Sequence, residues 1–557
     1  MNLRSLKLGV ALCSAIAISS VLASCGPAVQ QATPGADKGT QGDNKVDIAS
    51  QGTPKAGGIL KMTLFAVAPS WDIIAEGTQA TQIPIQPLYN QLLQYDPLEH
   101  KGLPAKIIPD LAEKWEASSD GLTYTFTLRQ GVKWHDGKEF TSEDVKFSIN
   151  RHANPPAGMP SLRGEWYKGM EVQTPDKYTA KFILKEPNAA LLKTIATAYT
   201  PMAPKHVLEG KGRITTMDMV VGTGPYKLVK ADRNVGYTLE KNKEYYVKER
   251  PYLDGIEFTV VLEESSRVAA MRTNAIDCIC GTSLSKPSYE SLEKSMGDKV
   301  VYRTGMPGIS FSSVQLNNKI KPFDDPKVRR AISMVVDRPT IVKIASDGDG
   351  EMGSYMPPKG EWGIPSEEMA KAPGFHTPTP QDVADAKKLL AGAGYPNGFE
   401  VVSNNGYGTA QDRTNELLVE MLKPLGVKLN IRQLERTAYY AALDNRDFQM
   451  APMGHAHSID DPNDHIATYY ITGGGRNYSQ YSDPKVDALY KEQSRTLEPE
   501  KRKKIVAELQ EYLYEQTPFL VTVWSGGGRD MWYKYVKGHN PMSAFTAFRK
   551  ERMWLDK

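Results

Sequence analysis

Cysteine is scarce, with four among 557 residues, and that excludes the disulfide-dense scaffolds of small secreted domains. Charge of one sign is also missing. Lys and Arg total 68 against 65 Asp and Glu, a formal net charge of +3, so the strongly basic face that nucleic-acid binders need is not indicated. No Gly-x-Ser-x-Gly elbow, His-Glu-x-x-His pair, Cys-x-x-Cys pair or phosphate loop ending in Gly-Lys-Ser or Gly-Lys-Thr occurs, which removes the commonest signatures of hydrolases, zinc sites and nucleotide binders. No repeat of fixed period is present, which argues against a solenoid or propeller. What is there is ordinary for a globular protein, 40% hydrophobic and 24% charged residues. The length exceeds what one core supports and predicts about two to four domains.

The first segment reads as a targeting signal. MNLRSLK is positively charged, and the apolar run LGVALCSAIAISSVLA follows it and ends in Leu22-Ala23-Ser24-Cys25-Gly26. Small residues before a cysteine resemble a bacterial lipobox. Residues 1–24 are then a lipoprotein signal peptide and Cys25 is the lipidated N-terminus, since several acyl chains anchor stably where one does not. Residues 25–57, rich in Gly, Pro, Gln, Ala and Thr, cannot offset their ordering entropy by burial and read as a flexible tether. Cys278 and Cys280, in NAIDCICG, lie on one face of a strand. They are expected to fill a small buried face, poorly placed to bond each other, so no disulfide is predicted.

Regular structure is predicted to begin at GILKMTLF. Leu122, Tyr124, Phe126 and Leu128 alternate with polar residues, the period of a half-buried strand. Asp136-Gly137 marks a turn. Thr141 with Asp144 three positions on, and Phe140 with Val145, mark a capped helix start. Asp325-Pro326 and Asp483-Pro484 each place an N-cap before a proline at the first helical position.

Three long segments then carry a resemblance: FTLRQGVKWHDGKEFTSEDVKFSINR (126–151), GTGPYKL (222–228) and LNNKIKPFDDPKVRRAISMVVDRPTIV (316–342), supported by PLYNQLLQYDP and IIPDLAEKW. In that order they are similar to the solute-binding proteins of peptide and nickel ABC importers, extracellular solute-binding protein family 5. The resemblance implies an α/β, periplasmic-binding-protein-like clamp of two lobes. Lobe I would comprise residues 58–92, 219–308 and 525–557, with an inserted subdomain at 93–218, and lobe II residues 309–524. It also implies a ligand in the cleft, hinge closure and delivery to an ABC permease. The WHDG motif is then a turn and a cap, not a catalytic pair.

GHAHSIDDPNDH, residues 454–465, is the most polar candidate. In the family's peptide binders an acid near this point pairs with the ligand's ammonium group; aligning Asp461-Pro462-Asn463 on the Pro-containing stretch puts Ser458 there instead, with Asp460 or Asp461 able to substitute only if the loop shifts. Where those binders hold the ligand carboxylate with an arginine, FEVVSNNGYGTAQD offers Asn404, Asn405 and Tyr407, with Arg413 later on a helix. A buried ligand charge left without its partner is costly. The ligand is therefore expected to be a longer peptide bound by its backbone, or a polar neutral solute, rather than a free dipeptide. His455, His457, Ser458 and Asp460 complete the expected site, with Trp71 and Trp524 able to stack on rings or apolar side chains. His-x-His invites a metal reading, but neither a resident metal nor a cofactor is expected. Capping of the helix before HIATYY is the structural alternative for the aspartates.

The expected partners are a small-molecule or peptide ligand, an ABC permease complex and, through the lipid, the membrane. Nucleic acid is not among them, and the protein is expected to be monomeric, extracytoplasmic and not an enzyme. The alternatives are an oligosaccharide or metal-chelate binder, a surface ligand sensor, and a metal-dependent hydrolase built on GHAHSIDD.

Overall fold

The computed structural model describes residues 52–97, 106–157, 159, 163–281, 284–304, 310–358, 360–406, 408–459, 461–526, 529–540 and 549–557. The chain divides into Met1–Lys45 and Val46–Lys557, and the described residues all belong to the second unit. The signal segment, Cys25, Tyr407 and Asp460 lie outside them. Among the described residues no helix is long and apolar enough to cross a membrane.

Two mixed sheets organise the body. The seven-stranded sheet runs in the order Val300–Thr304, Arg529–Tyr533, Cys278–Ile279, Ile59–Leu64, Gly255–Val260, Gly236–Lys241, Tyr226–Asp232. Its central strand, GILKMTLF in the sequence, pairs in parallel with both neighbours. The five-stranded sheet runs Lys428–Gln433, Glu400–Asn405, Met450–Ala456, Ser310–Leu316, Phe519–Trp524. The chain passes from the first sheet to the second between Val300–Thr304 and Ser310–Leu316, and back between Phe519–Trp524 and Arg529–Tyr533. Each sheet is covered by its own apolar cluster. The protein is thus an α/β clamp of two lobes.

A four-stranded antiparallel sheet, Ala112–Ala117, Thr123–Leu128, Thr179–Ile183, Glu171–Asp176, forms a separate layer with its own core. Along Thr123–Leu128 burial alternates as the sequence period predicts. Ser142–Ala153 follows Thr141, whose amide donates to Asp144 Oδ2 at 2.9 Å. His135 holds this layer to the first lobe: its Nδ1 accepts from the Gly222 amide at 3.3 Å and its Nε2 lies 3.1 Å from the Gly224 carbonyl. The glycines of GTGPYKL are required by close approach, because a Cβ at Gly222 or Gly224 would run into the backbone of Leu88. Asp325 and Asp483 cap their helices as predicted. At the end of the expected tether, Lys55 already pairs with Asp556 at 2.5 Å and the Gly57 amide donates to the Tyr252 carbonyl at 2.8 Å.

One expectation is overturned. Cys278 and Cys280 are joined as a disulfide, with their Cα atoms 5.5 Å apart, inside the range such a bond accepts. An extended strand would hold residues two apart farther from one another. Here the strand ends at Ile279 and Gly281 turns the chain with a φ of +77°, which brings the two sulfurs together.

Candidate functional site

The strand Met450–Ala456 delivers the GHAHS segment. In the register of the five-stranded sheet, His455 lies opposite Phe311, and Phe311 lies opposite Trp524. Cross-strand neighbours share a face, so the three rings form one row. Phe311 stacks on His455 at 4.4 Å between centroids and leans on Trp524 at 4.7 Å. His457, two residues on, stacks flat against Trp524 at 5.5 Å. His465, from the helix Pro462–Tyr469, returns to the same spot with its Nδ1 at 3.1 Å from His457 Nδ1.

All of these rings are buried. His455 is 4% exposed, His457 5%, His465 1% and Trp524 0%. His455 Nε2 bonds Ser313 Oγ at 2.6 Å, and Trp524 Nε1 donates to the Ser354 carbonyl at 3.0 Å beneath Gly353, whose lack of a side chain leaves the indole its space. Burial pushes the His457 imidazole down to about 3. Burial holds His455 and His465 well below the ordinary histidine range too, with Arg476 and His457 adding to the effect at His455, and His457 and His455 at His465. The histidines are therefore neutral at pH 7, and two ring atoms, His455 Nδ1 and His457 Nε2, are buried without a hydrogen-bond partner among the described residues. The three rings do not bring one nitrogen each within 4.8 Å of one another.

Beyond the row, the loop at Ser458 meets the inserted layer. Arg163 donates to Ser458 Oγ through Nη2 at 3.0 Å and Nε at 3.3 Å; Thr197 Oγ1 donates to the Ser458 carbonyl at 2.6 Å. The Ser458 amide donates to Asp464 Oδ2 at 2.6 Å, and burial raises that carboxyl above the usual range. Asp461 caps the helix Pro462–Tyr469 through the Asn463 amide. Its carboxylate also receives both terminal nitrogens of Arg502 and lies 3.2 Å from Lys193 of the inserted layer. Burial opposes ionisation of Asp461, but these two cations outweigh it and hold the carboxyl below its usual value. Asn463 Nδ2 adds a bond to Asn188 Oδ1 at 3.2 Å. Ser458, Asp461 and Asn463 thus tie the second lobe to the first.

Arg163 is 6% exposed and stacks over Tyr199 at 3.9 Å. Two of its nitrogens serve Ser458, while Nη1 is buried without a hydrogen-bond partner among the described residues. A guanidinium N–H left without an acceptor in a dry setting is costly, so this atom is a donor still open to an acceptor.

The other expected residues lie apart. Asn404 donates to the Asp447 carbonyl at 3.2 Å and accepts from Arg432 Nε at 2.9 Å. Asn405 Oδ1 accepts from Asn415 at 2.7 Å, so the strand-end amides are engaged within the second lobe. Trp71 packs edge-on against Tyr237 at 5.8 Å in the first lobe, with Arg233 over its ring. Sequence reasoning missed Arg163, Thr197 and Phe311. The first two come from an irregular stretch and a helix end with no motif, and Phe311 is recognisable only once strand register is known.

Residues 106–477 match the model of the bacterial extracellular solute-binding proteins, family 5 Middle. The chain is 28% identical over 469 residues to a dipeptide-binding protein of Escherichia coli K12, covering 79% of this chain and 84% of that one. Among solved structures, the periplasmic binding protein AgaA from A. tumefaciens R10 in complex with agropinic acid superposes with a TM-score of 0.75 at 26% identity, over 90% of this chain and 99% of that one. The DppA protein of Helicobacter pylori in complex with the peptide STSA gives a TM-score of 0.74 at 25% identity, with the same coverage.

Proposed function

The chain belongs to family 5 of the bacterial extracellular solute-binding proteins, the substrate-binding proteins of ABC importers, and from that premise we propose that it captures a peptide-like or other polar oligomeric solute bearing an acid group. Closure of the two lobes retains the solute and presents it to an ABC permease, while a lipid on Cys25 tethers the protein outside the cytoplasm. Members of the family are binding proteins.

One observation carries the acid group. Arg163 donates to Ser458, the residue that the family resemblance sets at the position of a peptide binder's carboxylate, and its Nη1 has no hydrogen-bond partner among the described residues. A solute carboxylate at that atom completes the guanidinium with a charge-assisted bond. His455 Nδ1 and His457 Nε2 are two further buried polar atoms without a partner among the described residues, each a neutral donor or acceptor according to tautomer. The complexes of the similar proteins, one with agropinic acid and one with a peptide, agree with a solute of this chemistry. Of the two expected ligand classes, a longer peptide bound by its backbone and a polar neutral solute, this reading favours the peptide, with Arg163 as a cation for its acid group.

The experiment is a calorimetric titration of the full chain with short peptides as free acids and as C-terminal amides. The free acid is expected to bind at least tenfold more tightly, the scale of a charge-assisted contact worth about 1.5–3 kcal/mol, and Arg163→Gln to erase the difference. Equal affinity for acid and amide sinks the acid-group reading. For the anchor, Cys25→Ser is expected to release the protein from the membrane fraction.

A further inference from the structure

The middle of the seven-stranded sheet holds a second group of reactive side chains, remote from the histidine row. Cys278 lies opposite Trp532 and Ile279 opposite Met531, so the next residue, Cys280, reaches the level of Asp530. His539 approaches from beyond the strand. One ligand atom each from Cys280, Asp530 and His539 lies within 4.8 Å of the others, and among the described residues no other group of three or more His, Cys, Asp or Glu does this. All three are buried, at 0%, 6% and 4% exposure. The carboxylate is held from both sides: Oδ1 accepts from the Gly281 amide at 2.8 Å and Oδ2 lies 3.0 Å from His539 Nε2.

A sulfur, a carboxylate oxygen and an imidazole nitrogen at this spacing are the donor set of a tetrahedral zinc site, whose bonds run about 2.0–2.3 Å. The backbone bond from Gly281 to the carboxylate is the kind of outer contact that orients a metal ligand. In the structure, however, Cys280 is bonded to Cys278. A sulfur in a disulfide has no thiolate to give, so the two states exclude each other.

We propose that Cys280, Asp530 and His539 form a redox-gated site for a soft divalent cation such as Zn2+, closed by the Cys278–Cys280 disulfide and opened by its reduction. A dithiol reductant supplies two electrons and two protons and becomes a disulfide itself; the S–S bond breaks and Cys278 and Cys280 become thiols. The cation displaces the proton of the Cys280 thiol to the solvent, and His539 carries its remaining proton on Nδ1 as Nε2 binds. Water takes the fourth position, and Cys278 stays a protonated thiol. Lys550 and Arg303 are the cationic side chains that act on this group, and a bound metal ion enters against both.

The test is a Co2+ titration of the full chain, reduced with dithiothreitol and freed of it by anaerobic gel filtration, read by thiolate-to-cobalt absorption in the near ultraviolet. Stoichiometric binding with a tetrahedral visible spectrum is expected for the reduced protein, with no signal from the oxidised one. Cys280→Ser removes the thiolate band, and His539→Ala weakens binding at least tenfold. Cys278→Ser cannot form the disulfide and is expected to bind Co2+ without any reductant, which keeps the test decisive if another variant fails to fold. A folded, fully reduced wild type that shows no thiolate band overturns the proposal. So does a band that survives Cys280→Ser, or a folded Cys278→Ser protein that binds no cobalt.

Discussion

Acidification from pH 8 to pH 5 is expected to destabilise this protein steeply, and His457 shows why. An unfolded histidine takes up its proton near pH 6.5. The folded His457 resists until about 3, because ionising a ring packed against Trp524 and His465 takes a charge out of water. Between those values the unfolded chain binds more protons than the folded one, so stability is full above the unfolded pKa and is lost as the pH falls through the window. At pH 5 the loss for one such group is about 2 kcal/mol. His152, held at about 3, and His135, at about 4, are pushed down chiefly by burial and behave alike, so the three together remove about 6 kcal/mol. Against a total stability of about 5–15 kcal/mol that is a large share. Asp461, whose carboxyl is depressed, is ionised in both states across this interval and adds its loss only at lower pH; Asp464, whose carboxyl is raised, works against the histidines. Urea unfolding followed by tryptophan fluorescence measures the loss in wild type and in His457→Gln. The variant should lose about 2 kcal/mol less between pH 8 and pH 5, whatever its stability at pH 8. The same pH dependence in both proteins would refute the reasoning.

Other perturbations test other joints of the structure. Arg502→Met strips Asp461 of its bidentate partner in a buried setting and should cost about 3–5 kcal/mol in urea unfolding, more than the loss of an exposed pair. Gly224→Ala forces a methyl into the backbone of Leu88 and Tyr89 and should cost about 1–3 kcal/mol, lowering the melting temperature. Asp325→Ala removes the bond to the Lys327 amide at 2.8 Å and should cost about 1 kcal/mol.

The elements that could be read from the sequence are those whose cause is local. Thr123–Leu128 alternates because one face is covered. The helices after Asp325 and Asp483 start where an acid and a proline satisfy the first turn. The WHDG segment turned out to be a fastening, with His135 clasped between Gly222 and Gly224. The failures share a different cause. Cys278 and Cys280 were judged by the geometry of a continuing strand, and a short strand with a glycine turn behind it obeys another geometry.

The site shows the same division on a larger scale. Two histidines one residue apart suggest a polar, ligand-facing strand, but what surrounds them is set by Phe311 and Trp524 on neighbouring strands, and those neighbours follow from register and not from proximity in the chain. Ser458 in its own segment offers a hydroxyl and no charge. Its partner Arg163 lies 295 residues away on the inserted layer, and no local pattern could announce a residue that matters only when two lobes meet. A cleft built between lobes places its specificity in such pairs: each lobe alone leaves a polar group exposed to water at little cost, and closure converts both into buried groups that must be matched. Arg163 and Ser458 satisfy each other in part, and on the function proposed above a solute acid at the nitrogen left over on Arg163 would favour the closed state over the open one.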